Sequence, residues 1–377
     1  MMASGKKDTV ASEDFRIGRT KIADLPKVSL HDHLDGGLRP QTVLELADEI
    51  GLDLPADDAK GLEAWFSDHI DGGSLEDYLE KFSVTVGVMQ TRDALVRTAK
   101  EFVEDLAADG VVYGEVRWAP EQHLTRGLSL DDVVDAVQEG IEQGEDAADA
   151  RGHDIRVGQL LTALRHNDTA RDIAELAVSW RGRGVVGFDI AGPEDGFLPS
   201  RHREAFDYLA EQFFPTTVHA GEGAGLASIR SALIDGRALR LGHGVRIAND
   251  LDVVSREGEE VQVTFGDLAR WVRDREITLE LSPTSNLQSG AVTAWGDTMD
   301  AHPFDLLYQL DFSVTVNVDN RLMSATTLTR ELGLLAQAFE YDLDDLEAFQ
   351  LNAAAGAFLP VEEREELIEI ISEGFGR

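Results

Sequence analysis

Apolar and polar positions along this chain fall into a repeating rhythm. Short runs rich in β-branched and aliphatic residues, bounded by Gly, Asp or Pro, alternate with longer stretches in which apolar residues recur three and four positions apart. The first run, Val28-Ser29-Leu30, continues through His31-Asp32-His33 to Gly36-Gly37, and helical spacing follows over residues 40–50 (Val43, Leu44, Leu46, Ala47, Ile50) with Pro40 at its start. From Thr91 the alternation is regular. Helical spacing over 93–108 leads to a strand at Val111 to Trp118, and 130–150 leads to a strand at Ile155 to Ala163. Helices over 169–180 and 201–212 lead to strands at Val185 to Ile190 and Thr216 to His219. Helical stretches at 229–233 and 265–275 precede strands at Ala238 to Leu241 and Ile277 to Leu281, and the last strand is Phe312 to Val318 before C-terminal helices. That makes about eight β-α units, with no short-period repeat and no linker-like tract between them. Repeated β-α alternation implies a parallel sheet, and eight units are what a closed (β/α)8 TIM barrel requires. The fold class is therefore α/β, with residues 21–377 as a single domain.

Two stretches depart from the rhythm. Residues 1–20 are polar and read as a flexible N-terminal arm. The segment 53–91, after the first strand-helix unit, is punctuated by Gly and Asp and carries Leu75, Tyr78, Leu79 and Phe82 at i, i+3, i+4 and i+7, with Ser74 as N-cap. Such an apolar stripe either packs on a core or closes over a pocket.

Composition narrows the function classes. The formal net charge of -37 and pI near 4.4 argue against nucleic-acid or anionic-membrane partners, which need clustered positive charge. A salt-adapted environment is a further expectation from that charge. With no cysteine, disulfides and thiolate metal sites are excluded. The N-terminal stretch has no apolar core of the secretory kind, and nothing downstream approaches 18 uninterrupted apolar residues, so a soluble, cytoplasmic protein is expected. Neither charge nor patterning sets the oligomeric state.

The candidate chemistry lies where strands end, the position of active sites in a TIM barrel. Side chains alternate along a strand, so His31 and His33 share one face and Asp32 takes the other. His219 ends the fifth strand, His243 follows the sixth, and Asp319 ends the eighth. Three imidazoles and a carboxylate suit Zn²⁺ with an open position for water, and an ion held this way lowers the pKa of that water to ~7. All seven lysines lie at or before Lys100, so no later strand offers a bridging lysine and one metal is expected rather than two. Glu222 follows His219 by three residues in His219-Ala220-Gly221-Glu222-Gly223-Ala224-Gly225 and is a candidate proton donor or acceptor. The glycines around it suggest a phosphate cradle, but the G-x-x-x-x-G-K-[ST] pattern is missing. Asp35 and Asn320 are polar groups at strand ends that either read a substrate or cap a loop.

These motifs resemble the adenosine deaminase family of the amidohydrolase superfamily. The resemblance runs from Pro26 to about Leu332 through His31-Asp32-His33-Leu34-Asp35-Gly36, Asp189-Ile190-Ala191-Gly192, His219-Ala220-Gly221-Glu222, Leu241-Gly242-His243-Gly244, Ser282-Pro283-Thr284-Ser285-Asn286 and Asp319-Asn320. It implies a barrel with one Zn²⁺ held by His31, His33, His219 and Asp319. The implied reaction is hydrolytic removal of the 6-amino group of adenosine, and of 2′-deoxyadenosine, giving inosine or deoxyinosine and ammonia in purine salvage. It further implies that Glu222 protonates N1 of the purine and must carry a proton at the outset, that His243 orients the attacking water, and that Asp319 assists in activating it. Substrate contacts are implied for His33, for the Gly192 backbone at N3, for Asp35 at the ribose 5′-hydroxyl, for Asn320 at N7, and for Leu75, Tyr78, Leu79 and Phe82 as a lid over the base.

Two departures stand out. The family commonly follows its metal-binding aspartate with a second aspartate and a proline, whereas here the run is Asp319-Asn320-Arg321. An amide both donates and accepts where a carboxylate only accepts, which bears on substrate choice and turnover. Ser282 stands where the family usually has cysteine and is expected to be a structural exchange. The alternatives are a deaminase of adenine or another 6-aminopurine nucleoside, or a nucleoside-binding homologue that has lost catalysis. The adenine-specific branch typically carries glutamate at the position of Asp35, which favours a nucleoside. Retention of the four ligand candidates with Glu222 and His243 favours an enzyme.

Overall fold

Among the described residues, eight parallel strands form the centre of the structure, close to where the apolar runs predict them. The computed structural model describes residues 14–67, 81–257 and 260–376. The strands are β1 (Lys27–His33), β2 (Val111–Trp118), β3 (Arg156–Leu164), β4 (Val185–Ala191), β5 (Thr217–Ala220), β6 (Arg240–His243), β7 (Thr278–Leu281) and β8 (Val314–Val316). β1 to β4 pair consecutively, as do β5 to β8, in parallel register throughout. Two seams join the halves. Phe188 bridges to Thr216 between β4 and β5, and Asp32 bridges to Asp319 between β8 and β1. At the second seam, the His33 N–H donates to the Asp319 carbonyl at 2.8 Å and the Asp319 N–H to the His31 carbonyl at 3.0 Å. The Asn317 side-chain oxygen accepts the Leu30 and His31 N–H groups, each at 3.0 Å, replacing ladder bonds that the short β8 lacks.

The helices form the outer layer. The helices Arg92–Ala108 and Leu130–Asp149 are amphipathic and capped, the first by Thr91 and the second by a capping box between Ser129 and Asp132. They approach closely at Gly140 and Gly144, where an added Cβ would stand 2.4 Å from the Val96 carbonyl and 2.6 Å from Val103. On β1 the alternation sends Val28 and Leu30 outward against the C-terminal helices Leu343–Gly356 and Val361–Gly374, through Ala353, Ala354, Leu367 and Ile371. His31 and His33 point inward, as the strand period requires.

The boundary of the N-terminal arm needs correction. Among the described residues of that stretch, Arg16–Ile17 and Thr20–Lys21 pair as a small hairpin. Phe15 is buried against Gly333, so an aromatic anchor ties the chain down from about residue 14. A second antiparallel hairpin, Leu251–Glu257 with Glu260–Phe265, is inserted after β6 and has no counterpart in the expected β-α rhythm. Of the apolar stripe, Leu75, Tyr78 and Leu79 lie outside the described residues. Phe82 opens the helix Phe82–Val88 and lines the cavity described next.

Candidate active site

A cavity of about 210 Å³ opens at the C-terminal ends of the strands. His33, Asp35, Gly192, His219, Glu222, His243, Asp319 and Asn320 all line it, together with Phe82, Trp118 and His166. His31 lies beneath, completely buried. His243 and Asp319 have positive φ, 59° and 62°, in the left-handed region that non-glycine residues enter at a cost of about 1–2 kcal/mol. That turn at the end of each strand accompanies the entry of both side chains into the cavity.

His31, His219, His243 and Asp319 each present a donor atom within 4.8 Å of one another. The contact distances bring in a fifth group. His31 Nε2 is 3.3 Å from Asp319 Oδ1, His33 Nε2 is 3.3 Å from the same oxygen, and His33 Nε2 is 3.3 Å from His219 Nε2. Tetrahedral donors about 2.0–2.1 Å from a zinc ion stand roughly 3.3 Å apart. The buried His31 Nε2 has no hydrogen-bond partner, as expected of a ligand atom. His243 differs from the other three imidazoles. Its Nδ1 accepts from the Asn286 amide nitrogen at 2.9 Å, so in the neutral ring Nε2 carries the proton. That N–H faces Glu222 Oε2 at 3.5 Å rather than offering a lone pair to an ion.

A layer of buried charge beneath the cavity orients the imidazoles. His31 Nδ1 meets Glu280 Oε2 at 3.0 Å, and His219 Nδ1 meets Asp189 Oδ2 at 2.7 Å. A carboxylate on the far nitrogen fixes the tautomer that leaves Nε2 free and makes it a stronger ligand. Arg117 joins the two acids, donating to Asp189 Oδ2 at 2.8 Å and Glu280 Oε2 at 2.6 Å. Arg240 donates to Glu280 Oε1 at 2.7 Å and also pairs with Glu115. Burial would raise both acids, but Arg117 and His219 around Asp189, and Arg117 and Arg240 around Glu280, hold them well below the usual carboxylate range. Burial and the neighbouring Arg117 push His31 down to about 4, so its ring is neutral at pH 7. Asp319 Oδ2 accepts from Ser285 Oγ at 2.6 Å, leaving Oδ1 toward the histidines. Asp32, on the opposite face of β1, pairs with Arg321 Nε at 2.9 Å.

Asp35 is buried at the cavity wall, 3.9 Å from His33 Nδ1, and burial pushes its carboxyl up to about 7. Asn320 packs so tightly on Gly36 that a Cβ there would stand 2.0 Å from its Oδ1. The glycine-rich loop after β5 is not a vacant phosphate cradle, because its N–H groups are taken by the Glu194 carboxylate. The structure thus brings together every described candidate. Sequence reading missed Arg117, Glu194, Glu280 and the cavity-lining His166, and Asp189 appeared only as part of a motif. The available signal was charge inside otherwise apolar strands, at Glu115, Arg117, Asp189, Arg240 and Glu280.

Comparison with known proteins bears on this geometry. The family model described as adenosine deaminase matches residues 26–374. The chain belongs to the adenosine deaminase family. Adenosine deaminase 1 of Streptomyces coelicolor is 55% identical over 381 residues, covering 100% of this chain and 94% of that protein. The adenosine deaminase of Mycobacteroides abscessus is 53% identical over 94% of this chain and 96% of its own length. Among solved structures, the adenine deaminase of Arthrobacter aurescens superposes with a TM-score of 0.78, at 22% identity, over 93% of this chain and 98% of its own, a likeness of fold. This deaminase-family chain is an enzyme with a TIM-barrel fold. Among its described residues no helix is long and apolar enough to cross a membrane.

Proposed function

We propose that the cavity hydrolyses adenosine and 2′-deoxyadenosine to inosine and deoxyinosine, releasing ammonia, with one Zn²⁺ per chain. One observation carries the reading. A donor set spaced at 3.3 Å and a proton-handling pair, Glu222 and His243, face one another across a single cavity large enough to hold a ring system.

In this reading His31, His33, His219 and Asp319 hold the ion. When bound, Zn²⁺ supplies a water of lowered pKa, ~7. The remaining roles fall to side chains and backbone. Glu222 delivers a proton to N1 of the purine as the water oxygen bonds to C6, which relieves the electron demand of the addition. The His243 Nε2–H faces the incoming oxygen and steadies the charge that develops there. As the C6–N bond breaks, one proton of the water passes to the leaving nitrogen, which departs as ammonia, and the other restores the acid form of Glu222, leaving the 6-oxopurine protonated at N1. Asp35 reads the ribose 5′-hydroxyl, the Gly192 backbone meets N3, and the Asn320 carboxamide meets N7. Phe82 closes the apolar side of the base, with Leu75, Tyr78 and Leu79 proposed as the rest of the lid.

The test is the loss of ultraviolet absorbance on adding protein to adenosine, 2′-deoxyadenosine and adenine, with and without a chelator. Both nucleosides should turn over, adenine should not, and chelator or Glu222→Gln should remove the activity. Turnover of adenine in preference to both nucleosides would overturn the ribose-reading role of Asp35. No turnover of any 6-aminopurine by zinc-loaded protein would overturn the deaminase reading.

A further inference from the structure

The Glu222 carboxylate meets His243 at 3.5 Å, too long for a firm hydrogen bond, so its direction is inherited from its backbone. That backbone is held by a residue outside every motif. Glu194, three positions past β4, is only 3% exposed. Its carboxylate accepts four consecutive backbone N–H groups. Oε1 takes Gly221 at 2.6 Å, and Oε2 takes Glu222 at 3.0 Å, Gly223 at 2.7 Å and Ala224 at 3.0 Å. Successive N–H groups turned to one side form a concavity suited to an anion, and here the chain supplies the anion itself. Gly221, at φ 81°, permits the turn that aims these donors inward. Arg165 supports the arrangement from behind, donating to the His219 carbonyl at 2.9 Å and the Phe197 carbonyl at 2.8 Å. Burial alone would raise the Glu194 carboxyl, but the charge of Arg165 and the N–H bonds together hold it below its ordinary value, so it is ionised at neutral pH.

We propose that Glu194 is the positioning residue for proton transfer: by filling the 221–224 concavity it fixes the backbone from which Glu222 reaches His243 and the substrate. This rests on the deaminase reading, and it adds a residue that touches neither substrate nor metal. Four charge-assisted bonds on one loop leave Glu222 little freedom, and losing even one acceptor oxygen sets a donor against a donor. A displacement of about 1 Å at a reacting group costs on the order of 10²-fold in rate.

Glu194→Gln keeps the size and replaces one acceptor oxygen by an NH₂ group. With zinc-loaded protein, kcat should fall about 10²-fold while KM for adenosine stays within about threefold and bound zinc is unchanged. Amide hydrogen exchange over residues 221–224 should accelerate in the same variant. In Glu194→Ala, added formate should re-enter the concavity, slow that exchange and restore part of kcat with saturation. Wild-type exchange or wild-type kcat in Glu194→Gln would overturn the proposal. So would a lowered melting midpoint in Glu194→Ala with kcat and KM both damaged and no response to formate, which marks a purely structural role. Inactivity of the wild-type chain on all 6-aminopurines would instead overturn the deaminase reading, and is recognised before any variant is made.

Discussion

Asp189→Asn tests whether the buried carboxylates set metal affinity from a distance. Asp189 Oδ2 is shared by His219 Nδ1 at 2.7 Å and Arg117 Nη1 at 2.8 Å, while Oδ1 accepts the Ile190 N–H at 2.7 Å and the His219 N–H at 3.1 Å. Both oxygens are therefore fully used in a buried site. Asparagine retains one oxygen and turns an NH₂ toward donors on the other side, whichever way it lies. Losing a hydrogen bond that involves a charged group costs about 1.5–3 kcal/mol, and each 1.4 kcal/mol is about tenfold in affinity. A roughly 10- to 100-fold weaker zinc affinity follows, the range usual for groups that orient a ligand. Removing a negative charge beside Arg117 acts in the same direction. The assay is competition for zinc against a chromophoric chelator, beginning from metal-free protein. Melting midpoints of metal-free and zinc-loaded forms taken in parallel should show a smaller zinc-induced rise in the variant. Zinc affinity within about twofold of wild type, with an unchanged metal-free midpoint, would refute the orienting role.

Three further outcomes are expected. Burial pulls Lys27 down from 10.5 to about 8 in the folded chain, so between those pH values the unfolded chain binds more protons and stability rises with pH. The stability difference between wild type and Lys27→Met should therefore shift in favour of wild type by up to about 3 kcal/mol from pH 8 to 10.5, and a flat difference in urea titrations would contradict it. Arg321→Met leaves Asp32 buried without its cation and should cost about 3–5 kcal/mol. Adding Asp32→Asn should recover part of that loss, and no recovery in the double variant would show that the pair is not the cause. Finally, self-repulsion at a net charge of -37 should be relieved as the Debye length falls to about 3 Å in 1 M KCl. The melting midpoint should rise with salt, and a fall would mean that the surface ion pairs outweigh the repulsion.

The barrel was legible because its strands are short runs rich in β-branched and aliphatic residues, separated by amphipathic helices. The metal and proton-transfer candidates were legible for a simpler reason: a strand delivers its last residue to the top of the barrel, so a histidine or aspartate at that point has one destination. What escaped was chemistry set by partners distant in sequence. Glu280 looks like a misplaced charge in Thr278–Leu281 until Arg117, Arg240 and His31 surround it. Glu194 looks like a loop acid until four N–H groups from another loop converge on it. The hairpin after β6 was lost to a rhythm that expected a helix, although Val261, Val263 and Phe265 alternate as a strand should. Phe15 and Ile17 similarly announce an anchored hairpin within a stretch whose charge suggests a loose arm.

The seam between β8 and β1 carries a consequence for how the protein comes into being. His31 and His33 are made well before Asp319 and the Asn317 carboxamide that sutures their strand, which arrive only after all the strands between them. No growing chain shorter than that possesses the site, and an ion captured earlier by the two histidines would lack its carboxylate. In the finished protein the proposed ion acts as a clasp across the joint between the first strand and the last, so its loss should loosen the ring at the place where the chain began and ended its closure.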